Sequence, residues 1–198
     1  INNLLKSKDY VVIAFPGGRS AKKIYERLRS KKIDWKKVHI FMIDERKVSL
    51  DSEDSNFKIL NDNLLKYIKI PEENVHPFHY DEETSHYTDE LSELGSFDIT
   101  VLSAGEDGHI ASLFPNHPSI FDESDGFIDV DDSPKQPMER MSASANLILE
   151  SSLAIILFIG ESKKQALKSF LSGKDSFESL PVNLVHSISN SYLFTDQK

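Results

Sequence analysis

Four short, almost wholly apolar runs constrain this chain most: Tyr10-Val-Val-Ile-Ala-Phe15, Val38-His-Ile-Phe-Met-Ile43, Phe97-Asp-Ile-Thr-Val-Leu102 and Leu153-Ala-Ile-Ile-Leu-Phe-Ile159. Continuous runs of this length read as strands buried on both faces. Between them the apolar residues change to a helical rhythm. Ile24, Tyr25 and Leu28 recur among charges, and Phe57, Leu60, Leu64 and Tyr67 mark one face between Asp54 and Tyr67. A polar helix is expected over Glu82–Leu94, and another from about Ser162 to Leu171 with Ala166, Leu167 and Phe170 inward. Strand, loop and helix in repetition require crossover connections, so the expected class is α/β with a largely parallel sheet covered on both faces. Two segments break the pattern. The acidic, turn-rich stretch 122–132 reads as a surface segment or a short edge strand. Arg140–Leu149 reads as a strand of weak propensity, because of its Ser-Ala-Ser-Ala. One domain over 1–198 is expected. Leu4-Leu5 resembles the tail of a helix, so an N-terminal strand or helix is expected to be missing.

Composition matters here for what it excludes. With no cysteine, disulfides, thiol nucleophiles and cysteine-bound zinc are ruled out. A net charge of −9 disfavours a nucleic-acid partner, which needs clustered Lys and Arg. No run reaches the length of a membrane span, Ile1-Asn2-Asn3-Leu4-Leu5-Lys6 is no signal peptide, and there is no Asn-X-Ser/Thr acceptor. A cytoplasmic location is expected. An anionic small molecule remains compatible, since a few cations can converge locally on an acidic protein.

In an open parallel sheet, ligands collect at the carboxyl ends of the strands. The loops expected there carry the chemistry. Gly17-Gly18-Arg19-Ser20 opens a helix and suits an anion, with Ser20 as cap or donor, or else is a plain strand-to-helix turn. In Asp44-Glu45-Arg46, strand alternation puts Asp44 and Arg46 on one side, facing either a ligand or solvent as an ion pair. Gly105-Glu-Asp-Gly-His109 makes a sharp turn into an expected helix. There His109 is a general-base candidate, with a capping Asp107 beside a surface histidine, or metal ligation, as alternatives. Metal is the weaker reading, because the remaining histidines show no paired ligand spacing. Lys163 opposes the dipole at a helix start unless an anion sits there, and Arg140 follows Pro134-Lys135-Gln136-Pro137.

Taken together, these loops resemble the 6-phosphogluconolactonase family from about Tyr10 to Thr195. Gly105-Glu-Asp-Gly-His-Ile-Ala-Ser-Leu-Phe-Pro115 matches the family's G-x-D-G-H-x-A-S-L-F-P signature. Asp44-Glu-Arg46, Asp54-Ser-Asn56, Ile70-Pro71…Asn74-Val-His76, Ser133-Pro-Lys135…Arg140 and Gly160…Lys163 follow in the family's order. The resemblance implies a three-layer α/β/α Rossmann-like sheet, related to glucosamine-6-phosphate deaminases and ribose-5-phosphate isomerases. It implies hydrolysis of 6-phospho-D-glucono-1,5-lactone in the oxidative pentose phosphate pathway, which supplies NADPH, with no cofactor and no metal. His109 would take a proton from water and return it to the leaving ring oxygen. Asp44 or Asp107 would orient its ring, and Arg46, Arg140, Lys163 and the Gly17-Gly18 turn would hold the phosphate. Deaminases carry Asn-Glu-Pro where this chain reads Leu113-Phe114-Pro115, a departure that favours the lactonase. A non-catalytic sugar-phosphate-binding module is the other alternative. The family commonly shows a small residue, then Thr or Ser, then Pro after the double glycine. Here stands Arg19-Ser20-Ala21, with Arg19 either an added phosphate contact or solvent-facing. Some lineages fuse this domain to glucose-6-phosphate dehydrogenase, so that enzyme is an expected partner or fused neighbour.

Overall fold

The computed structural model describes residues 1–197, apart from the side chain of Arg19, whose expected contact lies outside the described residues. In chain order the strands and helices are β1 (Val11–Phe15), α1 (Gly18–Leu28), β2 (Val38–Met42), β3 (Asp44–Arg46), α2 (Asn56–Asn63), β4 (Val75–His76) and α3 (Thr84–Leu94). There follow β5 (Ile99–Ser103), β6 (Phe127–Val130), β7 (Arg140–Ala143), α4 (Ala145–Leu149), β8 (Leu153–Phe158), α5 (Lys164–Ser172) and β9 (Ser191–Thr195). Six strands form one parallel sheet in the order β4-β2-β1-β5-β8-β9. The chain runs outward from β1 to β2 and β4, then returns to the other side of β1 at β5. That reversal opens a crevice at the carboxyl ends of β1 and β5.

Alternate residues of β1 feed two different cores, which is why its sequence is apolar throughout. Val11, Ile13 and Phe15 pack with Tyr25 of α1 and Leu60 of α2. Val12 and Ala14 pack on the opposite face with Tyr87 of α3, Ile148 of α4 and Phe170 of α5. The result is the expected α/β/α sandwich. Added to it is a three-stranded antiparallel sheet, β3-β7-β6, whose Met141, Ala143 and Val130 join the second core. Only Ile43 separates β2 from β3, so one extended segment passes directly from the large sheet into the small one. The Ile43 carbonyl accepts from Ala143 N at 2.9 Å and holds that passage.

Several boundaries differ from the sequence reading for local reasons. Within 122–132, β6 is an edge strand of the small sheet, with Phe127, Ile128 and Val130 buried. Arg140–Leu149 is not one strand. Ser144 interrupts it by accepting from Leu147 N at 3.0 Å, which caps α4. The helix expected to Tyr67 stops at Asn63 and gives way to a 3-10 turn over Leu65–Tyr67. Tyr67 leaves the apolar face and is exposed beneath the Arg29 guanidinium, 3.7 Å from the ring centre. The segment at Leu4-Leu5 is a single 3-10 turn, Leu4–Lys6. No helix among the described residues is long and apolar enough to cross a membrane.

Candidate active site

A cavity of about 530 Å³ opens at the carboxyl ends of β1, β5 and β8, with the small sheet forming one wall. Gly17, Gly18, Ser20, Asp44, Arg46, His109, Arg140 and Lys163 all line it. Asp107 stands behind His109 instead. Lys23, Asn56, Lys135 and Asp196 also reach the cavity.

His109 does not begin a helix. Gly105 and Gly108 close a tight turn around it, with Gly105 N donating to the His109 carbonyl at 2.7 Å. An Ile110–Leu113 bridge follows, and Ala111 at φ 49° is incompatible with helical continuation. The turn presses the imidazole against Phe114, ring centres 4.8 Å apart, and brings its Nδ1 to 2.5 Å from Asp107 Oδ1. Lys135 Nζ completes the cluster, 3.0 Å from Asp107 Oδ2 and 3.4 Å from His109 Nδ1. Burial by itself would raise the Asp107 carboxyl, but the hydrogen bonds and charges of His109 and Lys135 outweigh it and hold the group well below its ordinary range. Asp107 is therefore a carboxylate at any ordinary pH.

Asp44 points elsewhere. Its Oδ2 accepts from Ser112 Oγ at 2.8 Å, and its carbonyl accepts from Asn56 Nδ2 at 2.9 Å. Of the two candidate carboxylates, Asp107 is the one bonded to the histidine. Strand alternation holds along β3: Asp44 and Arg46 face the cavity while Glu45 turns to the opposite side, fully buried. There its carboxylate accepts from Arg46 N and Asn56 N at 2.7 Å, Phe57 N at 2.6 Å and Ser55 Oγ at 3.1 Å, fastening β3 to the start of α2. Burial outweighs these bonds and pushes Glu45 up to about 6.

The glycine turn supplies the start of α1. Gly18 adopts φ +82°, which favours glycine. Gly17 is required for a different reason: a Cβ there would fall 1.7 Å from Asn56 Oδ1. Ser20 does not cap the helix. Its hydroxyl donates to the Ile159 carbonyl at 3.3 Å and ties α1 to the end of β8. Lys163 comes from a 3-10 turn over Glu161–Lys163, just ahead of α5. The Gly160 turn before it is gripped on both sides, with its N–H donating to Asp196 Oδ1 at 2.9 Å and its carbonyl accepting from Gln197 Nε2 at 2.8 Å.

Arg140 departs from the role expected of it. Although it borders the cavity, the residue is 3% exposed. Nε donates to the Pro137 carbonyl at 2.8 Å, one terminal nitrogen to those of Lys135 and Gln136 at 2.8 and 3.3 Å, and the other to Ser112 Oγ at 3.4 Å. Most of its donors are committed to the loop before β7 rather than to the opening where a phosphate would lie. Among the described residues, no cluster of three or more His, Asp or Glu side chains is arranged to hold a metal ion.

Known proteins resemble this chain in sequence and in fold. The family model of glucosamine-6-phosphate isomerases/6-phosphogluconolactonase matches residues 1–194. A 6-phosphogluconolactonase of Borreliella burgdorferi is 34% identical over 209 residues, covering 99% of this chain and 88% of that protein. The crystal structure of 6-phosphogluconolactonase from Thermotoga maritima superposes with a TM-score of 0.88 at 29% identity, covering 98% of this chain and 88% of the other. A monomeric glucosamine-6-phosphate deaminase shares the fold at a TM-score of 0.82 and 21% identity, covering 97% and 88%.

Proposed function

This chain belongs to the glucosamine-6-phosphate isomerase/6-phosphogluconolactonase family, and on that premise we propose that it hydrolyses 6-phospho-D-glucono-1,5-lactone to 6-phospho-D-gluconate, a step of the oxidative pentose phosphate pathway. The observation that carries this reading is the Asp107–His109 pair at the wall of the cavity. Asp107 is anionic and can only accept, so the imidazole proton sits on Nδ1 and Nε2 is left with its lone pair. That nitrogen takes a proton from water as the water oxygen bonds to the lactone carbonyl carbon. The tetrahedral intermediate then collapses, the bond from that carbon to the ring oxygen breaks, and His109 passes the proton to the departing oxygen. The acid formed ionises to the carboxylate. Throughout, Asp107 stabilises the transient imidazolium and keeps its ring in place. The first N–H groups of α1 at Gly17-Gly18, with Lys163 and Arg46, suit the phosphate end.

An isomerase reading is disfavoured because Leu113-Phe114-Pro115 offers no carboxylate where deaminases carry one, and Phe114 is buried against His109. The lactone must come from oxidation of a hexose 6-phosphate at C1. A glucose-6-phosphate dehydrogenase, as separate partner or fused neighbour, would supply it. The test is lactone hydrolysis by wild type and His109→Ala side by side, with the substrate generated in place and spontaneous opening subtracted. Turnover should fall by roughly a hundredfold or more in the variant while the fold survives. Near-normal activity in the variant removes histidine from the mechanism, and a folded wild type without activity favours the binding-module reading.

A further inference from the structure

Resting on the lactonase reading, we propose that Lys135 is a positioning residue that counterweights Asp107 in the charge balance of His109, and that Arg140 is the fastening that places it there. A histidine that first accepts a proton and then gives it back is poorly served by an unopposed carboxylate, which would favour holding the proton. Lys135 supplies the opposition. Its ammonium bonds the Asp107 oxygen that His109 leaves free, and stands close to the same ring nitrogen. It thereby occupies part of the carboxylate's capacity and repels charge on the imidazole. The other charged groups around the cavity are Glu106 from the histidine's own loop, Asp44 and Arg46 from β3, Arg140 from β7, Lys23 from α1, Lys163 ahead of α5, and Asp196. Asp107 and Lys135 both meet the ring at the same nitrogen, Nδ1.

A lysine on a loop is ordinarily too mobile for such a task. Here the loop backbone is fixed from inside. Arg140 gathers the carbonyls of Lys135, Gln136 and Pro137 around one buried guanidinium, while Ser133 Oγ donates to the Lys135 carbonyl at 3.0 Å and accepts from Lys135 N at 3.2 Å. Arg140 also reaches Ser112 Oγ, which in turn donates to Asp44. A charge read from the sequence as a hand for substrate thus serves to aim another charge.

The experiment is the pH dependence of lactone hydrolysis for wild type, Lys135→Met, Lys135→Arg and Arg140→Met, together with an NMR titration of the His109 ring in each protein. In Lys135→Met the acid limb of the kcat/KM profile should move to higher pH by about one unit, the ring titration should move with it, and KM should change little. Lys135→Arg should restore the wild-type profile. Arg140→Met should move the limb in the same direction as Lys135→Met. A raised KM with both the limb and the ring titration unmoved would make Lys135 a substrate ligand and overturn the proposal. A raised KM alone in Arg140→Met would return that residue to the phosphate. The ring titration reads the proposal without turnover, so an inactive wild type would defeat the lactonase reading while leaving this test intact.

Discussion

Asp107→Asn should damage the enzyme more than Asp107→Ala, although asparagine is the closer mimic. In the native site the two carboxylate oxygens face different donors, His109 Nδ1 at 2.5 Å and Lys135 Nζ at 3.0 Å. Lysine can only donate, so the carbonyl of an asparagine must turn toward Lys135. Its NH2 then faces Nδ1, which is forced to accept, and the ring proton moves to Nε2, the atom that should receive one. Both variants lose the negative charge beside the imidazolium. Screened by solvent, since Asp107 is about a third exposed, that loss costs about 2 kcal/mol, or roughly thirtyfold in kcat. Asparagine adds the cost of breaking one misdirected hydrogen bond to recover the working tautomer, about another 2 kcal/mol. Asp107→Ala should therefore retain roughly one-thirtieth of wild-type kcat and Asp107→Asn roughly one-thousandth, with similar KM values. Steady-state hydrolysis at saturating lactone gives the answer. An asparagine variant as active as the alanine variant would show that the tautomer is not set by this pair.

Glu45 provides a pH test of stability. Its folded value of about 6 lies above the ordinary 4.5, so the folded chain holds that proton more tightly than the unfolded one. The resulting stabilisation is complete below about pH 4.5 and is lost as pH rises through 6, an amount of about 2 kcal/mol. Measured against Glu45→Gln by denaturant unfolding, wild-type stability should fall by that amount between pH 4 and 7, and a constant difference would contradict the burial argument. For the phosphate end, Lys163→Ala should raise KM about tenfold or more and leave kcat nearly unchanged, as expected for a charge-assisted bond made equally in ground and transition states. An unaltered KM would move the phosphate away from the Gly160 turn.

The strands buried on both faces were legible because such burial leaves an unbroken apolar run, as in Val11–Phe15 and Leu153–Phe158. The small sheet was legible only in part, as a short edge strand within 122–132 and a weak strand from Arg140. β3 is three charged residues, and β7 reads Arg-Met-Ser-Ala; both are strands because partners across the ladder make them so. β9 escaped notice for a similar reason, since Tyr192, Leu193 and Phe194 lie exposed on an edge strand and carry no two-sided burial pattern. The site divides in the same way. Its cavity-lining residues could be found from strand ends and turns, since chain direction alone brings those loops together. The choice of Asp107 over Asp44, and the inward turn of Arg140, depend on side-chain direction across elements distant in sequence. Lys135 lay in plain view beside Arg140 in the Ser133-Pro-Lys135 stretch. Its role emerges only once the loop is wrapped around a guanidinium.

The contact between Gly17 and Asn56 has an evolutionary consequence. Asn56 is pinned by the Asp44 carbonyl and cannot swing aside, so the missing methyl at position 17 and the amide at position 56 occupy one shared space. Neither is free to drift alone: an alanine at 17 becomes acceptable only in a lineage that has already shortened 56, and that shortening removes the bond holding the Asp44 backbone. Across relatives the two positions should behave as a single inherited character, lost or kept together, whereas Gly18, with no heavy atom within 4 Å of its absent side chain, answers only to its own backbone.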